Sequence, residues 1–186
     1  YKRYDRGWLI KTTNKILGID PGLRVTGYGV IFNSSGSIRY EASGIIKTTN
    51  VNTNLASRIK IILLGLEEVI EQFKPDCVSI EKVFVNTNPQ STLLLGQARG
   101  AAISAAVMKN LDVYEYTALQ VKKSVVGMGH ASKSQVQIMV QKLLGLPSIP
   151  SPDSADALAC SICHANISGS IAKFGTGNRM KSGRII

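Results

Sequence analysis

Apolar residues in the first part of the chain come in short runs separated by turn-forming residues, which is the pattern of β-strands. The first run ends at Asp20, before Pro21 and Gly22, and is too short for a buried helix. A β-branched run returns from Val25, so the two runs are predicted to form an antiparallel hairpin. Three further strands follow along the chain. The five predicted strands are residues 16–20, 25–32, 38–46, 77–80 and 112–116.

Between and after these runs, apolar positions repeat every three or four residues, as on one face of an amphipathic helix. The segment 92–108 differs in being rich in glycine and alanine, which predicts close approach of another backbone, either the sheet of the same domain or a second subunit. The order of elements predicts a mixed five-stranded α/β sheet flanked by helices. The predicted helices are residues 55–73, 92–108, 118–126, 132–144 and 154–167.

The composition is typical of one globular domain. The chain has 186 residues, of which 44% are hydrophobic, enough to bury a core. No apolar run is long enough to span a membrane, and the basic N-terminus lacks the apolar core of a signal peptide, so we expect a cytoplasmic protein. The expected division is a basic N-terminal tail at residues 1–14, a single domain at 15–168 and a basic flexible C-terminal tail at 169–186.

The charge balance indicates a class of partner. Lysine and arginine number 22 against 12 acidic residues, which makes the net charge +10. Such an excess favours a polyanionic partner, most often nucleic acid. Solvated surface lysines are the simpler explanation in many basic proteins, so the charge alone does not decide between them.

The cysteines form a motif-like pattern that we do not expect to be functional. Cys160, Cys163 and His164 match the C-x-x-C-H pattern of haem attachment. They lie inside an apolar helical segment and no export signal accompanies them, so we expect ordinary core residues and reduced thiols.

Four acidic residues stand where strands end or a helix begins. Asp20 and Glu81 each follow a buried strand, which is where open α/β sheets place their chemistry. Asp153 and Asp156 are three residues apart at the start of the last helix, so they share a face. Singly, each has a simpler explanation, because Asp starts turns and caps helices. Together, in a basic protein, they predict a site for Mg²⁺ or Mn²⁺, and a pair of such ions supports phosphodiester cleavage.

An ordered set of motifs resembles the RuvC family of Holliday-junction resolvases. The motifs are GIDPG-x-RVTGYGVI, IE-x-VF, LGQARG, QVKK-x-VVG-x-G, KSQVQ-x-MV and D-x-x-DALA, and they span roughly residues 15–167. The resemblance implies a ribonuclease H-like fold, a homodimer and Mg²⁺-dependent symmetric nicking of four-way DNA junctions in recombination and repair. It also suggests a branch-migration motor as a partner.

The resemblance implies roles for eight residues by their positions in these motifs. The lysines match basic residues near the scissile phosphate, Phe84 matches an aromatic that opens or stacks on junction bases, and Arg99 lies in the family's central helix by the dimer interface. Two Mg²⁺ ions per subunit are implied, with Mn²⁺ as a substitute. The implied catalytic and metal-binding acids are Asp20, Glu81, Asp153 and Asp156, and the implied DNA-binding residues are Phe84, Lys122, Lys133 and Arg99.

Three alternative functions remain open from the sequence. A nuclease acting on another nucleic-acid structure, such as an RNA–DNA hybrid, would use the same acids. A catalytically silent junction-binding protein would not need all four of them. A sugar-kinase or actin-like ATPase also opens with a strand, an Asp and a Gly-rich hairpin, but it needs two such lobes and a longer chain than 186 residues.

Overall fold

The computed structural model describes residues 13–34, 36–49, 54–82 and 88–175, and every predicted strand and helix is present in it. The strands are β1 (Thr13–Asp20), β2 (Val25–Ser34), β3 (Ser37–Lys47), β4 (Cys77–Glu81) and β5 (Asp112–Tyr116). The helices are α1 (Leu55–Phe73), α2 (Pro89–Met108), α3 (Ala118–Val126), α4 (Lys133–Leu144) and α5 (Pro152–Gly175).

The strands form one mixed sheet in the order β3-β2-β1-β4-β5, which confirms the predicted fold class. The pairs β1–β2 and β2–β3 are antiparallel, whereas β1–β4 and β4–β5 are parallel. The parallel pairs require crossover connections, which α1 and α2 supply. Because β1, β4 and β5 run in the same direction, their C-terminal ends lie at one edge of the sheet.

The sheet is covered by helices on both faces, and β1 shows how. Successive strand residues point to opposite faces. Ile16 is fully buried among residues of α3, α4 and α5, and its neighbour Leu17 is fully buried among residues of α1 and α2. The core therefore has two layers with β1 between them, which accounts for the continuous apolar run before Asp20.

Helix α5 packs directly on β1 and β2, because glycines leave room for its backbone. A Cβ atom at Gly18 would overlap the carbonyl group of Ala157, and one at Gly27 would overlap the carbonyl group of Asp153. The first turn of α5 is thereby seated at the end of the sheet where β1 finishes.

Two helix ends, the start of α2 and the end of α5, differ most from the predictions. Helix α2 begins at Pro89 rather than residue 92, because the Asn88 side chain accepts the amides of Gln90 and Ser91 and proline suits the first turn. Helix α5 continues to Gly175, into the predicted C-terminal tail, so residues 169–175 are helical. One glycine, Gly169, costs a helix only about 1 kcal/mol, too little to end it.

No helix in the described part of the chain is long and apolar enough to cross a membrane.

Candidate active site

Asp20 and Glu81 end neighbouring strands at the same edge of the sheet. Asp20 is the last residue of β1 and Glu81 is the last residue of β4. The two strands are parallel, and Ile19 pairs with Ile80, so the two acids follow paired residues. Alternation along each strand turns both acids toward the face that carries α5.

Helix α5 brings the other two acids to the same edge. Asp20 pairs with Gly27 across the hairpin, and the Asp153 backbone lies directly against Gly27. Within the first turn of α5, the Ser151 hydroxyl accepts the Ser154 amide at 3.4 Å. A serine therefore satisfies part of the helix start, which weakens the simpler explanation of Asp153 and Asp156 as capping residues.

A cavity of about 280 Å³ opens at this edge, and three of the four acids line it. Asp20 and Glu81 come from the sheet, Asp156 comes from α5, and two lysines, Lys122 of α3 and Lys133 of α4, complete the charged part of the wall. The apolar part of the wall comes from Pro21, Leu95, Ala118, Val121 and Val136. The structure thus brings together residues that are up to 136 positions apart in the sequence.

The acids disfavour one another's ionisation. Burial, followed by the charges of Asp156, Glu81 and Asp153, raises the pKa of Asp20 to about 7, against the opposing effect of Lys133. Burial and the charge of Asp156 also raise the pKa of Glu81, and burial raises that of Asp156. Asp153 therefore acts on Asp20 although it does not line the cavity. A bound cation would relieve this repulsion.

Among the described residues, Lys133 forms an ion pair with one of the four acids. Its Nζ lies 3.6 Å from Oδ2 of Asp156, while 80% of the Lys133 side chain is exposed. Lys133 is the first residue of α4, where Ser132 and Gln135 form a capping box that holds the helix start. An exposed lysine on a fixed helix end is free to move its charge between the acids and a bound ligand.

The donors suit a hard divalent cation, although they do not close on one as they stand. Four carboxylates converge with incomplete charge compensation, which is the ligand chemistry of Mg²⁺ and Mn²⁺. Within the described ranges, no group of three or more His, Cys, Asp or Glu side chains is close enough to hold an ion. Binding would therefore require the carboxylates to draw inward and Asp156 to release Lys133.

Of the predicted DNA-binding residues that the structure describes, Arg99 does not line this cavity. Phe84 lies outside the described residues. Arg99, on α2, donates from Nε to the backbone carbonyl of Glu81 at 3.2 Å and forms an ion pair with Glu115. Sequence reasoning missed Glu115, because only the strand register places it beside the helix that carries Arg99.

The cysteine pattern belongs to the core, as predicted. Cys160 and Cys163 are residues of α5, and both are buried free thiols. His164 is 5% exposed, and its Nδ1 shares a 2.7 Å hydrogen bond with the Tyr116 hydroxyl. Burial lowers the pKa of His164 to about 4, so the ring is neutral near pH 7.

Residues 16–164 match the family model described as crossover junction endodeoxyribonuclease RuvC. The chain belongs to the RuvC family. Two RuvC relatives illustrate the likeness: the protein of Methylobacillus flagellatus is 60% identical over 94% of this chain and 99% of its own length, and that of Azoarcus sp. is 58% identical over 92% and 93%. The predicted family and the predicted endonuclease activity are confirmed.

Solved structures agree with the fold. Thermus thermophilus RuvC in complex with Holliday junction substrate superposes with a TM-score of 0.77 at 33% identity, covering 88% of this chain and 97% of that one. The yeast mitochondrial Holliday junction resolvase Ydc2 superposes with a TM-score of 0.66 at 10% identity, over 91% and 87%, which is a likeness of fold alone. The RuvC match confirms the predicted ribonuclease H-like sheet.

Proposed function

We propose that this RuvC-family protein resolves four-way DNA junctions, and that the four acids at the sheet edge hold the divalent ions for strand cleavage. The observation that carries the proposal is the convergence of Asp20, Glu81 and Asp156 on one cavity, with Asp153 close enough to raise the pKa of Asp20. Mg²⁺, two ions per subunit, is the proposed cofactor, and Mn²⁺ the proposed substitute.

In this mechanism the acids would bind and orient the metal ions, and none of them acts as the nucleophile. When bound, a pair of divalent ions supplies Lewis-acid stabilisation and lowers the pKa of water, which is the chemistry of phosphodiester hydrolysis. Asp20 is the acid on which the charges of Asp156, Glu81 and Asp153 all act. It is therefore the residue we assign to both ions. Apolar residues of the wall, Leu95 and Val136 among them, limit the water that reaches these acids.

The two lysines of the cavity are proposed to face the scissile phosphate. Lys122 and Lys133 both oppose the raised pKa of Glu81, so both lie within electrostatic range of the reaction site. Lys133 pairs with Asp156 while no anion competes for it. Transfer of its charge from Asp156 to a phosphate would free that acid for a metal ion and stabilise the developing negative charge.

A homodimer is part of the proposal, because symmetric nicking needs two sites. One face of α2 carries Leu93 and Met108, which are 69% and 65% exposed, and between them Gly96 and Gly100 have open space where a side chain would stand. The alanines of α2 face the other way, into the core. The sheet therefore accounts for the alanines of this helix but not for its glycines. A second copy of α2 would cover them at close range.

The remaining partners are proposed from the resemblance. A net charge of +10 suits a DNA backbone. Base contact by Phe84, cooperation with a branch-migration motor and a cytoplasmic location stay predictions.

One assay tests the proposed function. A synthetic four-way junction, with each strand labelled in turn, is incubated with the protein in Mg²⁺ and in EDTA. We expect paired nicks on two strands of like polarity in Mg²⁺ alone. Glu81→Gln should lose the nicks, while Glu68→Gln, an exposed change on α1, should keep them.

The same experiment separates the alternatives. Cleavage of linear duplex or an RNA–DNA hybrid in preference to the junction would overturn the proposed substrate. Junction binding without cleavage in any divalent metal would indicate the binding protein instead.

A further inference from the structure

Arg99 joins α2 to the strand ends that carry the site. Its Nε donates to the backbone carbonyl of Glu81 at 3.2 Å, and its guanidinium forms an ion pair with the Glu115 carboxylate. The two contacts reach two adjacent strands, because Glu81 ends β4 and Glu115 is the penultimate residue of β5. Both partners are acidic residues, but Arg99 contacts the side chain of Glu115 and only the backbone of Glu81.

Arg99 lies behind the sheet, on the face opposite the acids. Ile80 is buried among residues of α1 and α2, and Glu115 pairs with Ile80 in the β4–β5 register, so Glu115 shares that face. Glu81, the next residue along β4, points the other way, into the cavity. The guanidinium therefore holds the peptide of Glu81 from one side while its carboxylate is presented on the other.

The peptide that follows Glu81 is hydrogen-bonded at both its carbonyl and its amide. The Lys82 amide donates to the Tyr116 carbonyl at 2.7 Å, and this bond closes the described part of the β4–β5 ladder. The Glu81 carbonyl is the acceptor that Arg99 takes. The carbonyl of Glu81 and the amide of Lys82 belong to one peptide group, and both are hydrogen-bonded. These two bonds fix the direction in which the Glu81 side chain points. Mutation of a residue that hydrogen-bonds to a metal ligand typically lowers metal affinity or activity by about 10–100-fold.

We propose that Arg99 is a positioning residue, which with Glu115 fixes the strand end so that Glu81 faces the metal site. The proposal rests on the proposed role of Glu81 as a ligand. It assigns Arg99 a task different from the DNA contact that the family resemblance implies. A DNA-binding arginine and a positioning arginine predict opposite results when Glu115 is neutralised.

The test measures junction cleavage against Mg²⁺ concentration, and junction affinity in EDTA, for the full-length protein. Arg99→Met and Glu115→Gln should each raise the Mg²⁺ concentration for half-maximal cleavage by about 10-fold. The double variant should be no worse than either alone, because both changes break one unit. Junction affinity in EDTA should stay within about twofold of the parent, because no DNA contact is lost.

A matched control is available in the pair Lys15–Glu41. Its side chains are 25% and 34% exposed, against 22% and 38% for Arg99 and Glu115, and it lies at the opposite end of β1 from Asp20. Glu41→Gln should leave the Mg²⁺ requirement unchanged. Thermal unfolding of each variant shows whether it folds, and if Arg99→Met does not, Glu115→Gln decides the question.

Three results would overturn the proposal. Weaker junction binding by Arg99→Met in EDTA, with the parental Mg²⁺ requirement, would make Arg99 a DNA contact. Unchanged or improved cleavage by Glu115→Gln would show that the ion pair restrains nothing the site needs. An equal shift in Glu41→Gln would make the effect one of general stability. Failure of the proposed function itself would be recognised separately, by full Mg²⁺-dependent cleavage in Glu81→Gln.

Discussion

Asp20 is the residue whose charge is proposed to bind metal but lowers the stability of the metal-free fold. Burial and three neighbouring acids raise its pKa to about 7, from an ordinary value of 3.8. The folded protein therefore binds this proton more tightly than the unfolded chain does. It follows that, without metal, the contribution of Asp20 to stability falls as the pH rises from about 4 to 7.

Asp20→Asn should accordingly separate the two properties. Nicking should fall at least ~100-fold, the scale of losing one charge-stabilising group, while junction binding in EDTA remains. In EDTA at pH 8 the variant should be more stable than the parent, by on the order of 4 kcal/mol, because it carries no buried charge. The gain should shrink toward pH 4. Thermal unfolding across this pH range checks the second part, and a less stable variant at pH 8 would contradict it.

The contribution of His164 to stability has the opposite pH dependence. Its pKa falls to about 4 on burial, from 6.5, so the unfolded chain binds the proton more tightly. Stability from this residue is present above about pH 6.5 and is lost as the pH falls toward 4. We expect a loss of about 2 kcal/mol between pH 7 and pH 5.

His164→Phe provides the measurement. Comparing urea unfolding of the variant and the parent at both pH values cancels the contribution of Asp20, which both proteins share. The variant should be less stable at pH 7, because Tyr116 loses its partner, but its loss on acidification should be smaller. Equal losses in the two proteins would show that His164 does not titrate as a buried group.

At the scale of elements, the contact of α5 with the β1–β2 hairpin sets the position of two acids. Gly27 pairs with Asp20 and lies against the backbone of Asp153, so one glycine touches both halves of the site. A side chain there would lift the helix start from the sheet. The acids of α5 would then move relative to Asp20 without any of the proposed metal ligands being removed.

Gly27→Ala should therefore raise the Mg²⁺ requirement for cleavage and destabilise the protein by about 1–3 kcal/mol, the usual cost of overpacking. Gly169→Ala is the control, since Gly169 lies in α5, the helix that Gly27 contacts, and has open space where a side chain would stand. That change should leave cleavage unaltered and add up to about 1 kcal/mol of stability. Cleavage titrations and urea unfolding measure both, and parental Mg²⁺ dependence in Gly27→Ala would contradict the argument.

At the scale of the whole molecule, a cavity lined by acids belongs to a protein of positive net charge. The protein carries a charge of +10, yet three of its 12 acidic residues line one cavity and a fourth lies beside it. The positive net charge favours binding of a DNA backbone, and the acidic cavity repels that backbone unless cations are present. Metal and DNA binding should therefore support each other at this site.

The proposed dimer gives a prediction at the same scale. Gly100→Glu places a charge on the open face of α2 and should convert a 40 kDa species, twice the chain mass of 20.0 kDa, into monomers. Light scattering after gel filtration measures the mass. Leu64→Asp, an equally polar change at an exposed position of α1, should leave the dimer intact. A parent protein that is monomeric at all accessible concentrations would rule out the dimer.

The strands, the helices and the family could be predicted from the sequence because each depends on a local pattern of residues. Short apolar runs cut off by Pro21 and Gly22, or by helix caps, predicted the strands and helices, and the ordered motifs indicated the family. The ends of α2 and α5 were less predictable, because Asn88 and Gly169 act through only about 1 kcal/mol each. Strand alternation also explains why Asp20 and Glu81 face one side of the sheet.

Sequence alone determined the fold and indicated the residue types of the candidate site, since both inferences depend on local pattern and motif order. Tertiary structure decided which groups meet. Only the packing of α5 on Gly27 brings Asp153 beside Asp20, and only the β4–β5 register places Glu115 within reach of Arg99. The reason is physical: the distance between side chains far apart in the chain depends on helix packing and strand register, which the whole core settles together.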